Sequence, residues 1–431
     1  MAAESQIQAV SADFLDPALY GGRGPVQLPR LERGTLLAAL SHAFDLAESR
    51  SLGHAQRVAF VGLSLARELG VSEEEAEAVL LGCLLHDSGM ASAHTPAPPA
   101  SPQPRADLAR SGEATSSLGA LDVLSAHTAT GAAFAERLGL PESVRIAVAS
   151  HHDYWDVPEE RPLVARIVSS ADRIESLLDT EGSPLRTRHR AVLAVQELAG
   201  GEIDRQVAEA MGSLATRDEF WLSFHEVDLS GTLLERLTGP LIEGPELMET
   251  LAAFGDLVDE RNERPRGHSR RVADLAHAQA LAHDLPEARS EMVQAAALLQ
   301  DLGTLGVPAG HLRKPDLLTV DEMTAVQLHP TFARDIVGEI PGFGAAAWWV
   351  GCHHERVDGK GYPATLEGGD VPLEAQIIGI CEAYVALTSD RPHRAALPAH
   401  EAIKVIAGLA QKRFSRETVE RFLSTPHPRA S

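Results

Sequence analysis

Seven residues between positions 54 and 172 carry side chains suited to transition-metal ions: His54, His86, Asp87, His127, His151, His152 and Asp172. His86 and Asp87 end the apolar run "CLLHDSGM", and burying either group without a partner costs several kcal/mol. A hydrogen bond or a metal ion must therefore meet them. Five histidines and two aspartates on inward-facing positions exceed what separate hydrogen-bonded core residues would account for, although a polar, metal-free helical core is the alternative. Imidazole with carboxylate suits Fe, Mn, Zn or Ni. A shared aspartate can bridge two ions about 3.5 to 4 Å apart, the clamp used for in-line attack on phosphate esters by a metal-activated water.

The elements that position these groups occur twice. "GHAQRVAFVGLSLARELG" is echoed by "GHSRRVADLAHAQALAHDL", "LLGCLLHDSGM" by "QAAALLQDLGTLGVP", and "LVARIVSSADRIESLL" by "LEAQIIGICEAYVALT". His54 and His268 lie 214 residues apart, as do His86 and Gln300; His127 and His329 lie 202 apart, as do His151 and His353; Asp172 and Glu382 lie 210 apart. The changes of offset place one insertion in the first copy, in the Pro- and Ala-rich "SAHTPAPPASPQPR", and one in the second, in "DGKGYPATLEGG".

Helical periodicity predicts an all-α chain of two tandem helical bundles related by internal duplication. His54, Val58, Val61, Leu65 and Leu69 recur at steps of four and three on one face. Leu80, Leu84 and Asp87 form a second stripe, with Val79, Cys83 and His86 beside it. Ser72 before Glu73, Glu74 and Glu75 reads as a capped helix start. Residues 1–30 read as an N-terminal tail, 31–226 as a domain with the complete ligand set, 227–245 as a connector and 246–427 as a domain with a degenerate set.

Lys and Arg total 38 against 61 Asp and Glu, a net charge of −23 over 431 residues, which repels phosphate backbones and argues against nucleic-acid binding. A small anionic substrate stays compatible, because bound divalent cations reverse the local potential. No run approaches the roughly 18 apolar residues of a membrane span, so a soluble, cytoplasmic protein without a membrane partner is expected. Cys83, Cys352 and Cys381 all lie in apolar stretches and read as core residues.

The ordered set H…HD…H…HH…D resembles the HD-domain phosphohydrolases. "HHERVDGKGYP" and "ALTSDRPHR" make the second copy similar to the HD-GYP subfamily, whose members hydrolyse cyclic di-GMP and related cyclic dinucleotides. The resemblance covers about residues 31 to 427. It implies two divalent ions, Fe or Mn first and Zn or Ni as alternatives. One would be held by His54, His86, Asp87 and Asp172, and Asp87 would bridge to another held by His127, His151 and His152, with His86 and Asp87 at the catalytic centre. Some members add a third ion through an upstream glutamate, for which Glu48 is the nearest candidate. It further implies substrate contacts from Lys314, Gly361, Tyr362, Pro363, Arg391 and Arg394, backbone N–H groups of the GYP loop near an anion, and a diguanylate cyclase or other signalling protein as a partner.

Departures from the family pattern divide the roles. Met90 and Thr304 stand where the family often has a lysine, leaving substrate charge to groups such as Arg57 or Arg173, and the first copy lacks the GYP loop. The second copy keeps His268, Asp301, His329, His353 and His354 but has Gln300 for the motif histidine and Glu382 for the late aspartate. A glutamine carbonyl is a poor ligand beside imidazole, so about two ions per chain are expected, both in residues 31–226. The resulting expectation is a cyclic dinucleotide phosphodiesterase working at the first copy, with the second binding or regulating. The alternatives are a noncatalytic cyclic-dinucleotide or protein-binding module, and an HD hydrolase of another nucleotide phosphate.

Overall fold

A computed structural model describes residues 26–48, 52–92, 114–153, 161–178, 184–225, 240–314, 316–390 and 394–426, with backbone alone for 114–125 and 184. The Pro-rich loop beyond Ser92, most of the 227–245 connector and Arg391 lie outside the described residues. The chain forms two compact units, residues 32–241 and residues up to 31 together with 242 onward. Both are helical, as the periodicity predicts. The strands among the described residues, β1 (Leu31–Glu32) and β2 (Leu241–Ile242), form a two-stranded sheet.

In the unit of residues 32–241, α1 (Arg33–Ala47) precedes α2 (His54–Glu68), α3 (Glu73–Leu85), α4 (Ala114–Arg137), α5 (Glu142–Ser150) and α6 (Leu163–Glu175). Helices α7 (Pro184–Glu197), α8 (Arg205–Leu214) and α9 (Asp218–Phe224) follow. Helix α3 starts at a capping box in which Ser72 Oγ accepts the Glu75 N–H at 3.3 Å and the Glu75 carboxylate accepts the Ser72 N–H at 3.0 Å. The apolar stripes of α2, α3 and α6 face one another, burying Val58, Val61, Leu65, Leu80, Leu84, Ile167 and Val168. His54 opens α2, His86 caps the C-terminus of α3, and Asp87 begins the following 3₁₀ turn (Ser88–Ala91). Burying one face of each helix thus carries their polar ends to one place.

The other unit repeats this frame. Helices α10 (Gly244–Arg261), α11 (His268–Ala282) and α12 (Glu287–Leu299) are followed by a 3₁₀ turn (Leu302–Gly306) and the short α13 (Ala309–Leu312) and α14 (Val320–Val326). Then come α15 (His329–Gly338), α16 (Gly344–Cys352), α17 (Leu373–Leu387), α18 (Ala399–Ala407) and α19 (Arg416–Ser424).

The glycine two residues after each motif aspartate has a packing reason. A Cβ on Gly89 would stand 1.8 Å from the His127 carbonyl oxygen, and one on Gly303 would stand 2.1 Å from that of His329. Only glycine lets each turn approach the backbone that carries the next histidine. The three cysteines are free and buried.

Candidate metal centre

In the unit of residues 32–241, the two oxygens of Asp87 face two different histidine sets. Oδ2 lies 2.9 Å from His86 Nε2 and 3.8 Å from His54 Nε2, whereas Oδ1 lies 3.4 Å from His151 Nε2 and 3.8 Å from His127 Nε2. Asp172 Oδ1 is 3.6 Å from both His54 Nε2 and His86 Nε2. On the other side, His127 Nε2 lies 3.2 Å from His151 Nε2 and 3.0 Å from His152 Nε2. Six of the seven residues singled out by type and spacing form two groups that share Asp87, and Asp172 lies beside the His54 and His86 group.

The hydrogen bonds of the rings set which nitrogen is available. His86 Nδ1 lies 2.7 Å from the Cys83 carbonyl and His151 Nδ1 lies 2.7 Å from that of Val148. A carbonyl only accepts, so each Nδ1 carries a proton and Nε2 is the nitrogen left to face inward. His54 Nε2 and His86 Nε2 are buried without a hydrogen bond. Buried imidazole nitrogens grouped around shared carboxylates fit a transition-metal ion once their protons leave.

Glu175, one turn beyond Asp172 on α6, completes this arrangement. Its Oε2 accepts from His54 Nδ1 at 3.0 Å, and its Oε1 accepts from Arg57 Nε at 2.7 Å. Burial would raise the Glu175 carboxyl, but His54 and Arg57 outweigh it and hold it below its ordinary value. Its charge orients the His54 ring and strengthens it as a ligand. Glu175→Gln is expected to weaken metal binding by roughly 10- to 100-fold, read by chelator competition on the whole chain. Unchanged affinity would show that His54 is oriented by something else.

The same charges bias the protons. Burial pulls the His86 imidazole down, yet Asp87 and Asp172 beside it raise it well above the usual histidine value. Burial likewise pushes Asp172 up, but His86 and His54 hold it well below the carboxylate range. An ion taken by His86 Nε2 must displace that proton, so binding strengthens as pH rises.

In the other unit, Asp301, His329, His353 and His354 converge, while His268 and Glu382 fall outside that group. His329 Nδ1 and His353 Nδ1 again point at carbonyls, of Val326 at 2.7 Å and Val350 at 2.5 Å. Burial, with the neighbouring histidine, pushes His329 down to about 4 and leaves it neutral at neutral pH. Gln300 directs its amide Nε2 to Asp301 Oδ2 at 3.4 Å. Val385 holds the position equivalent to Glu175, so the acid that orients His54 is missing there.

The residues expected to meet substrate are placed as follows. Tyr362 stacks on His354, with ring centroids 4.9 Å apart. A Cβ on Gly361 would stand 2.5 Å from the backbone of Glu355 and Arg356, so the loop closes tightly there. The expectation that the loop offers its N–H groups to an anion needs correction. Ala364 and Leu366 donate to the Glu355 carboxylate at 2.6 and 3.0 Å, Lys360 donates to Asp358, and Tyr362 N donates to the His354 carbonyl. A buried carboxylate of the chain itself organises the loop. Lys314 Nζ binds Glu322 at 2.7 Å, and Arg394 donates to the carbonyls of Ala386 and Leu387 at the end of α17 and to that of its neighbour Ala395. Among the described residues, neither makes a hydrogen bond or ion pair with the histidine cluster. Arg57 and Arg173, offered for substrate charge, face Glu175 and Glu202, and Thr304 accepts Asn262 Nδ2 at 3.0 Å.

Sequence reasoning missed Glu175, Glu355, Arg264 and Arg413. Glu175 had a signal, since it lies three residues after Asp172 on a buried helical face. The others stand in irregular segments without periodicity.

Comparisons with known proteins agree with this geometry. HD domain families match residues 52–177 and 252–418. Over 385 residues the chain is 26% identical to the 3'3'-cGAMP-specific phosphodiesterase 1 of Vibrio cholerae, covering 85% of each. It is 32% identical over 179 residues to a cyclic di-GMP phosphodiesterase of Thermotoga maritima, covering 41% of this chain and 49% of that one. The crystal structure of the V. cholerae cyclic GMP-AMP specific phosphodiesterase V-cGAP3 shares the fold, with a TM-score of 0.64 at 23% identity, covering 91% of this chain and 97% of that one. Among the described residues no helix is long and apolar enough to cross a membrane. The chain carries two HD domains in tandem, and is a metal-dependent phosphohydrolase homologous to the HD-GYP cyclic dinucleotide phosphodiesterases.

Proposed function

We propose that this chain hydrolyses a cyclic dinucleotide at its first HD domain, and that the second HD domain binds a nucleotide without cleaving it. The observation that carries the assignment is the division of Asp87, one oxygen toward His54 and His86 and the other toward His127 and His151. In this reading His54, His86, Asp87 and Asp172 hold one ion, and Asp87, His127, His151 and His152 hold the other. Two such ions supply Lewis acidity and activate water near neutral pH. The protein's own part is to aim each Nε2 through a proton fixed on Nδ1, to keep Asp87 central, and to hold His54 by Glu175.

The substrate class comes from the relatives, two of which are named for 3'3'-cGAMP and cyclic di-GMP. Substrate charge is met mainly by the ions, since Met90 fills the family's lysine position and is buried. In the second domain, Tyr362 stacked on His354 supplies an aromatic face for a base.

The test is chromatography of products after incubating the Mn- or Fe-loaded chain with 3'3'-cGAMP, cyclic di-GMP and a linear dinucleotide in parallel. Cleavage of a cyclic dinucleotide that stops with chelator is the expected result. Cleavage of the linear compound alone would assign the site to another phosphate ester, and no cleavage of any would favour the noncatalytic reading.

A further inference from the structure

Arg264 enters the second HD domain on the side where the first would hold an ion. Asp87 turns Oδ1 to His127 and His151 and Oδ2 to His54 and His86. Asp301 turns Oδ1 to His329, at 3.5 Å, but its Oδ2 takes an ion pair from Arg264 Nη1. The guanidinium is almost buried, with the side chain 12% exposed, and Glu382 and Asp259 lie within electrostatic reach.

A braced turn delivers Arg264 to this place. Glu263 adopts φ +50°, a left-handed conformation uncommon for a non-glycine residue. Asn262 Nδ2 donates to Thr304 Oγ1 at 3.0 Å, Arg313 pairs with Glu263 at 3.2 Å, and the Arg264 N–H donates to the Asp259 carbonyl at 2.9 Å. A second cation stands nearby. Arg413 Nη2 is 4.0 Å from Glu382 Oε2 and 3.5 Å from His354 Nδ1. The bridges Ala199–Ile203 and Ala410–Phe414 correspond, so the position equivalent to Arg413 in the first domain is Glu202 and the charge there is reversed. Arg50, the sequence counterpart of Arg264, lies outside the described residues.

We propose that Arg264 takes the place of the first metal ion in the second HD domain, its fixed charge balancing Asp301 where Gln300 has removed the histidine ligand. The inference rests on reading Asp301 as the counterpart of the bridging Asp87, and it does not depend on which ester the first domain cleaves. A guanidinium stays charged at all physiological pH and offers N–H donors. It has no empty orbital to polarise water as a metal ion does. The exchange therefore keeps Asp301 neutralised and removes the means of cutting a phosphodiester there.

The test counts metal per chain by plasma mass spectrometry, on the full chain loaded with Mn(II) and freed of unbound ion. Three variants are compared with the unaltered chain: Gln300→His alone, Gln300→His with Arg264→Ser, and Gln300→His with Arg264→Gln, which keeps bulk and a hydrogen bond to Asp301. Gln300→His alone is expected to leave the count unchanged, because the guanidinium still occupies Asp301 Oδ2. Removing the guanidinium as well is expected to add one ion per chain in whichever double variant melts like the unaltered chain. A gain from Gln300→His alone, or no gain in a folded double variant, would overturn the proposal. A chain whose first domain holds no ion would instead sink the functional reading, and the difference between variants would still be read.

Discussion

Asp87→Ala is expected to lower cyclic dinucleotide hydrolysis by more than about a hundredfold, beyond the loss typical for partners that merely orient metal ligands. Asp301→Ala should leave most of the activity. Both aspartates are buried at the same place in their units and both touch histidines. Asp87 is the one residue common to both ligand groups of the first domain, so its loss separates two ions that must act together. Asp301 faces histidines on one side and Arg264 on the other. Its removal strands a buried guanidinium, which destabilises that domain by about 3–5 kcal/mol. Asp301→Asn, which keeps a hydrogen-bond acceptor for Arg264, is the cleaner companion. Steady-state rates for the three variants, with metal content measured on the same samples, decide the matter. Equal losses from Asp87→Ala and Asp301→Asn would place the chemistry in the second domain.

The second large effect concerns a residue with no functional group. Gly89→Ala drives a methyl group to within 1.8 Å of the His127 carbonyl oxygen, and Gly303→Ala does the same to His329 at 2.1 Å. The obstacle is backbone, which cannot rotate aside as a side chain can, so each change is expected to cost at least the roughly 1–3 kcal/mol typical of overpacking. The two then differ in activity. Gly89→Ala displaces His127 from the shared Asp87, and a shift of about 1 Å lowers the rate by roughly a hundredfold. Gly303→Ala spoils the site proposed above to be noncatalytic and is expected to leave turnover of the folded fraction intact. Thermal melts paired with initial rates separate the outcomes: similar melting losses with a rate loss confined to Gly89→Ala. A full rate in Gly89→Ala would mean that His127 does not act at the centre.

Much of the site was legible because helical periodicity and duplication are both local properties. The stripes that carry His54, His86 and Asp87 were countable along the chain, and offsets of 214, 202 and 210 paired each residue with its counterpart. Lys314 and Arg394 were harder, because a basic residue near a motif reads the same whether it meets a substrate or a neighbour. Here Lys314 is closed off by Glu322, the third residue of the helix α14 that Thr319 caps, and Arg394 caps the carbonyl end of α17. Such pairings depend on loop paths, which carry no period.

By itself the sequence determined two helical repeats, one with seven metal-type donors in order and one with Gln300 and Glu382 in place of two of them. Apolar spacing dictates which helix faces are buried, and burial brings their polar ends together. The family resemblance already implied Asp87 between two histidine sets; tertiary structure alone decided that His54 is fastened by Glu175 and that Asp301 is closed on one side by Arg264. Those choices follow from the direction of each ring nitrogen and carboxylate oxygen, and from charges that the chain brings back from far along its length. Residue type and spacing name the donors; the partner on the far side of each donor decides whether it faces an ion or a guanidinium.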